Sequence, residues 1–356
     1  MNRGRLTWLA AALFLLAAAA WLASRGDPPT PAKPPRTVEF PKELRPSEVE
    51  RVARRRTLPP PVAPEAKADR KPEPQRDPLL AALSSAPGAS NVVLEVNALR
   101  HSPLGELFVG CLAAEHGEEL KRLQDELGID PLEDVDRFAL GGETVMISGH
   151  FANAKWDKIA GDSESKPIGE RGRLFTKGDE AVAIWNDELV IAGKSVEAVQ
   201  ETIDRVEGRS ESPPALDESL TYGEIYGQLS VESMTKLLGT DQPELAERLR
   251  EAAERIELHV DATGDVAISA DVRGGSGQAL DDLARSMSGA ISLARIQSKV
   301  RGDAELSQLL DLANVARKDG RFTIELALPL ALLQKHLADC GRSPGTASES
   351  ADDHPY

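Results

Sequence analysis

IELHVDATGDVAISADV, residues 256–272, decides the fold class. Ile256, Leu258 and Val260 alternate with polar residues, and Val266 to Val272 resumes the alternation beyond Ala262-Thr-Gly-Asp265. A period of two puts each apolar set on one face, so the stretch predicts two antiparallel strands joined as a hairpin. Glu257, His259 and Asp261 fall on the other face. Alternation of this kind is how strands place several ligands around one metal. The plainer reading is a solvent face opposite a buried Ile-Leu-Val face, and no metal is expected there.

Working outward, Arg137–Leu140 and Thr144–Phe151 flank Gly141-Gly142-Glu143 as an earlier hairpin. Asn91–Val96 reads as a strand, and Ser102-Pro103 as an N-cap with proline at the first helical position. Leu104, Leu107, Phe108, Cys111 and Leu112 then recur at three- and four-residue spacing, resumed by Leu120, Leu123 and Leu127 before Gly128. A short helix at Ala154–Ile159, strands near Leu174-Phe175, Ala181–Trp185 and Leu189–Ala192, and a helix Ser195–Val206 complete this half. After the polar break Gly208–Ser219 the order begins again. A strand Glu224–Leu229 leads to one or two helices in Val231–Glu254 and then to the 256–272 hairpin. Helix Gln278–Lys299, a helix capped by Asp303, strand Arg321–Leu328 and a helix to Leu337 follow. Both halves begin β-α-β-β-α-β. The expected fold is α+β, an internal duplication of a ferredoxin-like or related unit, with halves 89–207 and 208–338 and a disordered tail 339–356.

The chain has 356 residues and a net charge of −16, 4% aromatic residues and two cysteines. Residues 1–88 hold 15 Lys+Arg against 9 Asp+Glu, leaving 27 against 49 in 89–356. A basic stem thus carries an acidic head, which argues against nucleic acid as a partner, since phosphate binding needs a basic surface. Two cysteines exclude a disulfide-stapled mini-scaffold, and a single long apolar run excludes a polytopic transporter.

That run is Leu6–Ala23, 18 uncharged residues that include Leu6, Trp8, Phe14, Leu15, Leu16 and Trp21. At 1.5 Å per residue it spans roughly 27 Å, about one hydrocarbon core. Arg3 and Arg5 in the stub 1–5 set an N-in orientation, and the two tryptophans suit the interfaces. The expected location is the inner membrane, single-pass, with the head on the extracytoplasmic or periplasmic side. The alternative is secretion after signal cleavage following Ala18-Ala19-Ala20.

Residues 24–88 hold 15 of the 24 prolines and read as a disordered spacer. Ser47 and Glu50 form a capping-box pattern that leads into Arg51, Arg54, Arg55 and Arg56. These arginines are candidates for membrane or partner contact; a solvated charge run is the plainer reading. This layout resembles bacterial envelope proteins such as TonB-type energy transducers and bitopic components of secretion and division machinery. The resemblance rests on residues 1–88, and no functional residue is carried over from it.

No GxSxG elbow, P-loop, HExxH, CxxC pair or EF-hand loop is present, so no cofactor is expected. Arg273-Gly-Gly-Ser-Gly277 could present backbone N–H groups to an anion, but Ser276 as a helix cap explains it. A disulfide between Cys111 and Cys340 is permitted outside the cell; two unpaired thiols are the expectation. His101 and His150 read as surface residues. The function expected is a non-enzymatic binding or scaffold module with a protein partner in the envelope. The alternatives are an envelope enzyme with a site assembled from distant residues, and a carrier of an apolar ligand.

Overall fold

The structure is a computed structural model. It describes Phe40, Glu48 and residues 77–161, 163–210, 213–238, 243–274, 277–318 and 320–337. The span Leu6–Ala23, Arg51, Arg54–Arg56, Ser276 and Cys340 lie outside the described residues.

The first run comprises α1 (Pro78–Ala82), β1 (Asn91–Leu94), α2 (Val96–Arg100), α3 (Pro103–Leu127), β2 (Val135–Gly141), β3 (Thr144–Gly149) and α4 (Trp156–Ala160). It continues through β4 (Glu164–Ile168), β5 (Gly172–Lys177), β6 (Glu180–Trp185), β7 (Leu189–Gly193) and α5 (Val196–Val206). The second comprises β8 (Ile225–Leu229), α6 (Val231–Leu238), α7 (Pro243–Ala252), β9 (Arg255–Asp261) and β10 (Val266–Arg273). It ends with α8 (Gly277–Arg301), α9 (Ala304–Asp311), β11 (Ala313–Lys318), β12 (Arg321–Leu328) and α10 (Leu330–Leu337).

All twelve strands form one sheet, in the order β11-β12-β10-β9-β8-β1-β2-β3-β7-β6-β5-β4. Every neighbouring pair is antiparallel. In a ferredoxin-like unit the β-α-β crossover joins two parallel strands with a third strand between them, whereas here β1 and β2, joined through α2 and α3, are adjacent and antiparallel, so that part of the expectation is corrected, while the α+β class stands. The break at Gly208–Ser219 does not divide the sheet either. β8 returns to pair with β1, and Gly227 makes the seam close: a Cβ there would meet the Asn91 carbonyl oxygen at 2.1 Å.

The two strands missing from the sequence reading, β4 and β11, are the two edges of the sheet. Glu164-Ser-Lys-Pro-Ile168 is exposed at its first four positions and carries a proline, as an edge tolerates. Such strands need no apolar alternation.

The expected spacer 24–88 also ends too late. Asp77 caps α1, its Oδ1 accepting from the Leu79 and Leu80 amides at 2.9 and 3.2 Å, and its Oδ2 lies 2.6 Å from Arg137 Nη1. Leu79, Ala82 and Leu83 are buried in the largest core cluster, beside Met146, Ile191, Val199 and Ile203. Pro78 suits the first turn of a helix, which is why a proline-rich composition hid one.

The clusters assign a cover to each side of the sheet. In the first half α1 and α5 pack on one side, here the α5 face. In the second half α7, α8, α9 and α10, with Leu104 and Phe108 of α3, pack on the other, the α3 face.

Candidate functional site

β1 shows how the site arises. Asn91 and Val93 are buried on the α5 face, whereas Val92 and Leu94 point to the α3 face and are only half-buried. Register carries this pattern sideways: Val92 pairs with Leu140 and Leu140 with Val145, while Leu94 pairs with Phe138 and Phe138 with Ile147. All six are half-buried.

α3 spans this face. Ser102 Oγ accepts from the Gly105 amide at 3.0 Å to start it, and Gly128, left-handed at φ 70°, stops it. Phe108 near its start packs against the cluster that holds Leu104 and Val260, as do Ile225 and Leu258; Ile129 just past its end packs against the cluster that holds Phe151 and Trp156, as does Ile147. Both ends therefore rest on the same side of the sheet. Between them Leu112 and Leu123 are each 39% exposed, and Leu120 is half-buried. Val92, Leu94, Phe138, Leu140 and Val145 belong to neither of the clusters that anchor α3. The helix is broken midway at His116 (φ −129°, ψ 17°), next to Gly117, and glycine is a common site of kinks. An amphipathic helix, with Leu112, Leu120 and Leu123 among charged residues, is thus anchored at both ends on the apolar side of the sheet, and neither apolar surface is fully covered. That arrangement can take an apolar chain.

Glu257, His259 and Asp261 require a correction. They lie on one face of β9, as alternation demands, but all three are buried, as are Ile256 and Val260 on the opposite face. β9 is a central strand covered on both sides. Alternation specifies which residues share a face and says nothing of what covers it. Nor do the three converge on one point. Glu257 is held by Arg255 at 2.9 Å and Arg273 at 2.8 Å. Its Oε1 has the Arg255 ion pair but no well-aligned hydrogen bond. Asp261 Oδ1 accepts from the amide and hydroxyl of Thr263 at 2.9 and 2.7 Å. His259 stacks on the Tyr222 ring, centroids 3.8 Å apart.

Burial lowers the His259 pKa, opposed by its hydrogen bond to the Tyr222 carbonyl and by Asp271 and Glu48. The Tyr222 hydroxyl is pushed up to about 12 by burial, then by Asp271, Glu257 and Glu48, with Arg273 opposing. His259 is thus neutral at pH 7 and Tyr222 protonated. Across the sheet Arg137 is raised: burial by itself lowers it, and Asp77 and Glu95 outweigh that. Among the described residues no group of three or more His, Cys, Asp and Glu could hold a metal ion.

The remaining candidates are placed as follows. Arg273 serves Glu257, and a Cβ on Gly274 would meet the Ala252 carbonyl oxygen at 1.9 Å, so this turn is packed against backbone. His101 and His150 are exposed, with Asn97 O at 2.7 Å and Asp136 Oδ2 at 3.4 Å respectively. Cys111, half-buried on α3, is disulfide-bonded, so the expectation of two unpaired thiols fails at that position. Among the described residues no helix is long and apolar enough to cross a membrane. The sequence reading missed the open apolar face. Its signal was present in the apolar residues on both faces of β1 to β3, which require two covers.

No family model matches the chain, and no curated protein matches it. It is similar to solved structures of TP0453. Crystal form III superposes with a TM-score of 0.43 at 13% identity, covering 72% of this chain and 96% of that one. Form I gives 0.41 at 13% identity, covering 73% and 96%. Form IV gives 0.41 at 12% identity with the same coverage.

Proposed function

We propose that the folded part of the chain is a non-catalytic binding module that takes an apolar chain, such as a lipid acyl chain, between α3 and β1-β2-β3. The observation that carries this reading is the set Val92, Leu94, Phe138, Leu140 and Val145, apolar, half-buried and outside the clusters that anchor α3. Uncovered apolar surface on adjoining elements is where burial of a guest has most to gain, at roughly 25 cal/mol per Å². The break at His116 supplies a place where α3 can bend around a guest. The module works in the cell envelope, held by the single N-in span Leu6–Ala23. No reaction is assigned, since the buried titratable groups of β9 are engaged by structural partners.

The experiment is uptake of a fluorescent fatty acid by the purified full chain, with organic extraction and mass spectrometry of whatever co-purifies. Val145→Glu and Leu140→Asp are expected to weaken uptake about tenfold or more, by placing a charge in an apolar site. Absence of both co-purified lipid and saturable uptake overturns the proposal.

A second reading, docking of a protein partner, is favoured by α8. Its C-terminal half exposes Leu293, Ile296 and Val300 at 56, 60 and 82% along one side, opposite the buried Ser298. Leu293→Ser with Ile296→Ser should abolish recovery of that partner by crosslinking while leaving fatty-acid uptake intact.

A further inference from the structure

The α5 face of the second half is closed, yet among the described residues none of the helices α6 to α10 clusters with its strands there. Glu257, His259, Asp261 and Ser269 are buried on this side. The clusters that include β9, β10 and β12 gather their helices on the opposite side, through Ile256, Val260, Val272 and Phe322. Among the described residues, the polar side is met by Tyr222, stacked on His259, and by Glu48 of the stem.

Glu48 is 7% exposed, and its Oε1 accepts a hydrogen bond from the Gly223 amide at 2.6 Å. Its charge acts on both His259 and Tyr222. A glutamate in a free spacer would keep its carboxylate in water, because burying a charge without compensation is costly. A buried glutamate with a short, charge-assisted bond to a backbone N–H occupies a built seat. Gly223 suits that seat: it is left-handed at φ 87°, and a Cβ would meet the Val260 carbonyl oxygen at 2.4 Å. Phe40, eight residues earlier in the chain, is half-buried rather than exposed.

We propose that the stem is fastened to the head at Glu48, on the polar face formed by Tyr222, Gly223 and His259, and that this contact sets the working length of the tether. A spacer free over 65 residues, 24–88, would reach roughly 45 Å root-mean-square. Fastened at Glu48, the tether shortens to the 24 residues 24–47. Their reach is roughly 27 Å. The head is then kept near the start of the stem rather than far from it, and residues counted as spacer belong to the folded unit.

The test uses the full chain with a specific protease site inserted after Ala68, compared with the same chain carrying Glu48→Ala. After cleavage, the N-terminal piece should stay with the head through gel filtration in the parent chain and leave it in the variant. Hydrogen exchange at the Gly223 amide should quicken about tenfold or more in Glu48→Ala, the usual consequence of losing a hydrogen bond to a charged group, while the Met146 amide is unchanged. Loss of the N-terminal piece from the parent chain, or retention and Gly223 exchange that are equal in the two proteins, would overturn the proposal. The first of these outcomes needs no variant, so misfolding of Glu48→Ala leaves the test intact.

Discussion

One row of paired residues crosses the sheet on the α5 face and changes character halfway. From the β6 side it reads Ala183, Ile191, Met146, Ala139 and Val93, all buried in one apolar cluster. It continues as Tyr226, His259, Ser269 and Glu325. The neighbouring row on the α3 face, Val182, Ala192, Val145, Leu140 and Val92, is apolar too but half-buried, and beyond Gly227 it continues half-buried as Leu258, Ala270 and Ile324, which pack against the clusters of the second half. The first half thus closes its α5 face with α1 and α5, whereas its α3 face is closed around Phe151, Trp156, Phe175 and Ile184 and only half-buried at Val92, Leu94, Phe138, Leu140 and Val145. The second half closes its α3 face with helices, and among the described residues its α5 face carries ion pairs, the Tyr222–His259 stack and Glu48. The same alternation yields a core, an open site or a buried polar seat, according to what is laid across it.

The sharpest way to break this contrast is to remove the cover of the first half. A fragment 89–338 lacks Leu79 and Leu83 and strands the buried Arg137 without Asp77. It should lose more than about 5 kcal/mol relative to 77–338, because each large buried leucine is worth about 2–5 kcal/mol and a stranded buried charge costs about 3–5. Equal denaturant midpoints for the two fragments would place α1 outside the core.

A finer comparison pits the two faces of β3 against each other. Met146→Ala, on the closed face, should cost about 2–5 kcal/mol. Val145→Ala, one residue away on the open face, should cost under about 1 kcal/mol. Chemical denaturation of both variants decides it, and similar losses would mean that the α3 face is as closed as the other.

In the second half, Glu257→Ala should cost about 1 kcal/mol. Its carboxylate is buried, but Arg255 and Arg273 are 40% and 38% exposed, so their charges remain partly hydrated when it goes. A loss above about 3 kcal/mol would show that the ion pairs, rather than the opposite apolar face, hold β9 in place.

The smallest expected effect is in pH. The folded-state pKa of His259 is depressed below the unfolded value of about 6.5. Its contribution is therefore fully present above pH 6.5. It is lost as pH falls, because the unfolded chain then binds the proton more readily than the folded one. The slope from one such proton is at most about 1.4 kcal/mol per pH unit. His259→Phe keeps a ring for Tyr222 to stack on and should flatten the stability profile between pH 7.5 and 5.5; an unchanged profile would assign the dependence to other groups.

Much of the secondary structure was legible in the chain. The hairpin at 256–272, the cap Ser102-Pro103, the stop at Gly128 and the 195–206 helix follow from local rules: alternation, capping geometry and glycine's tolerance of positive φ. These depend on residues within one or two turns of each other, which a sequence displays directly. The edge strands β4 and β11 and the helix α1 were not legible, because an edge needs no apolar alternation and α1 sits where prolines dominate.

What the sequence by itself determined is which residues share a face, and hence that β9 carries Glu257, His259 and Asp261 together opposite Ile256 and Val260. Only the tertiary structure decided what lies over each face. It joins β8 to β1 across a polar break, buries the three polar residues, lays α3 over an apolar face without closing it, and seats Glu48 on Gly223. Burial is set by partners far away in the chain, from position 48 to position 223 in the last case. A periodicity of two or 3.6 residues carries no information about such distances.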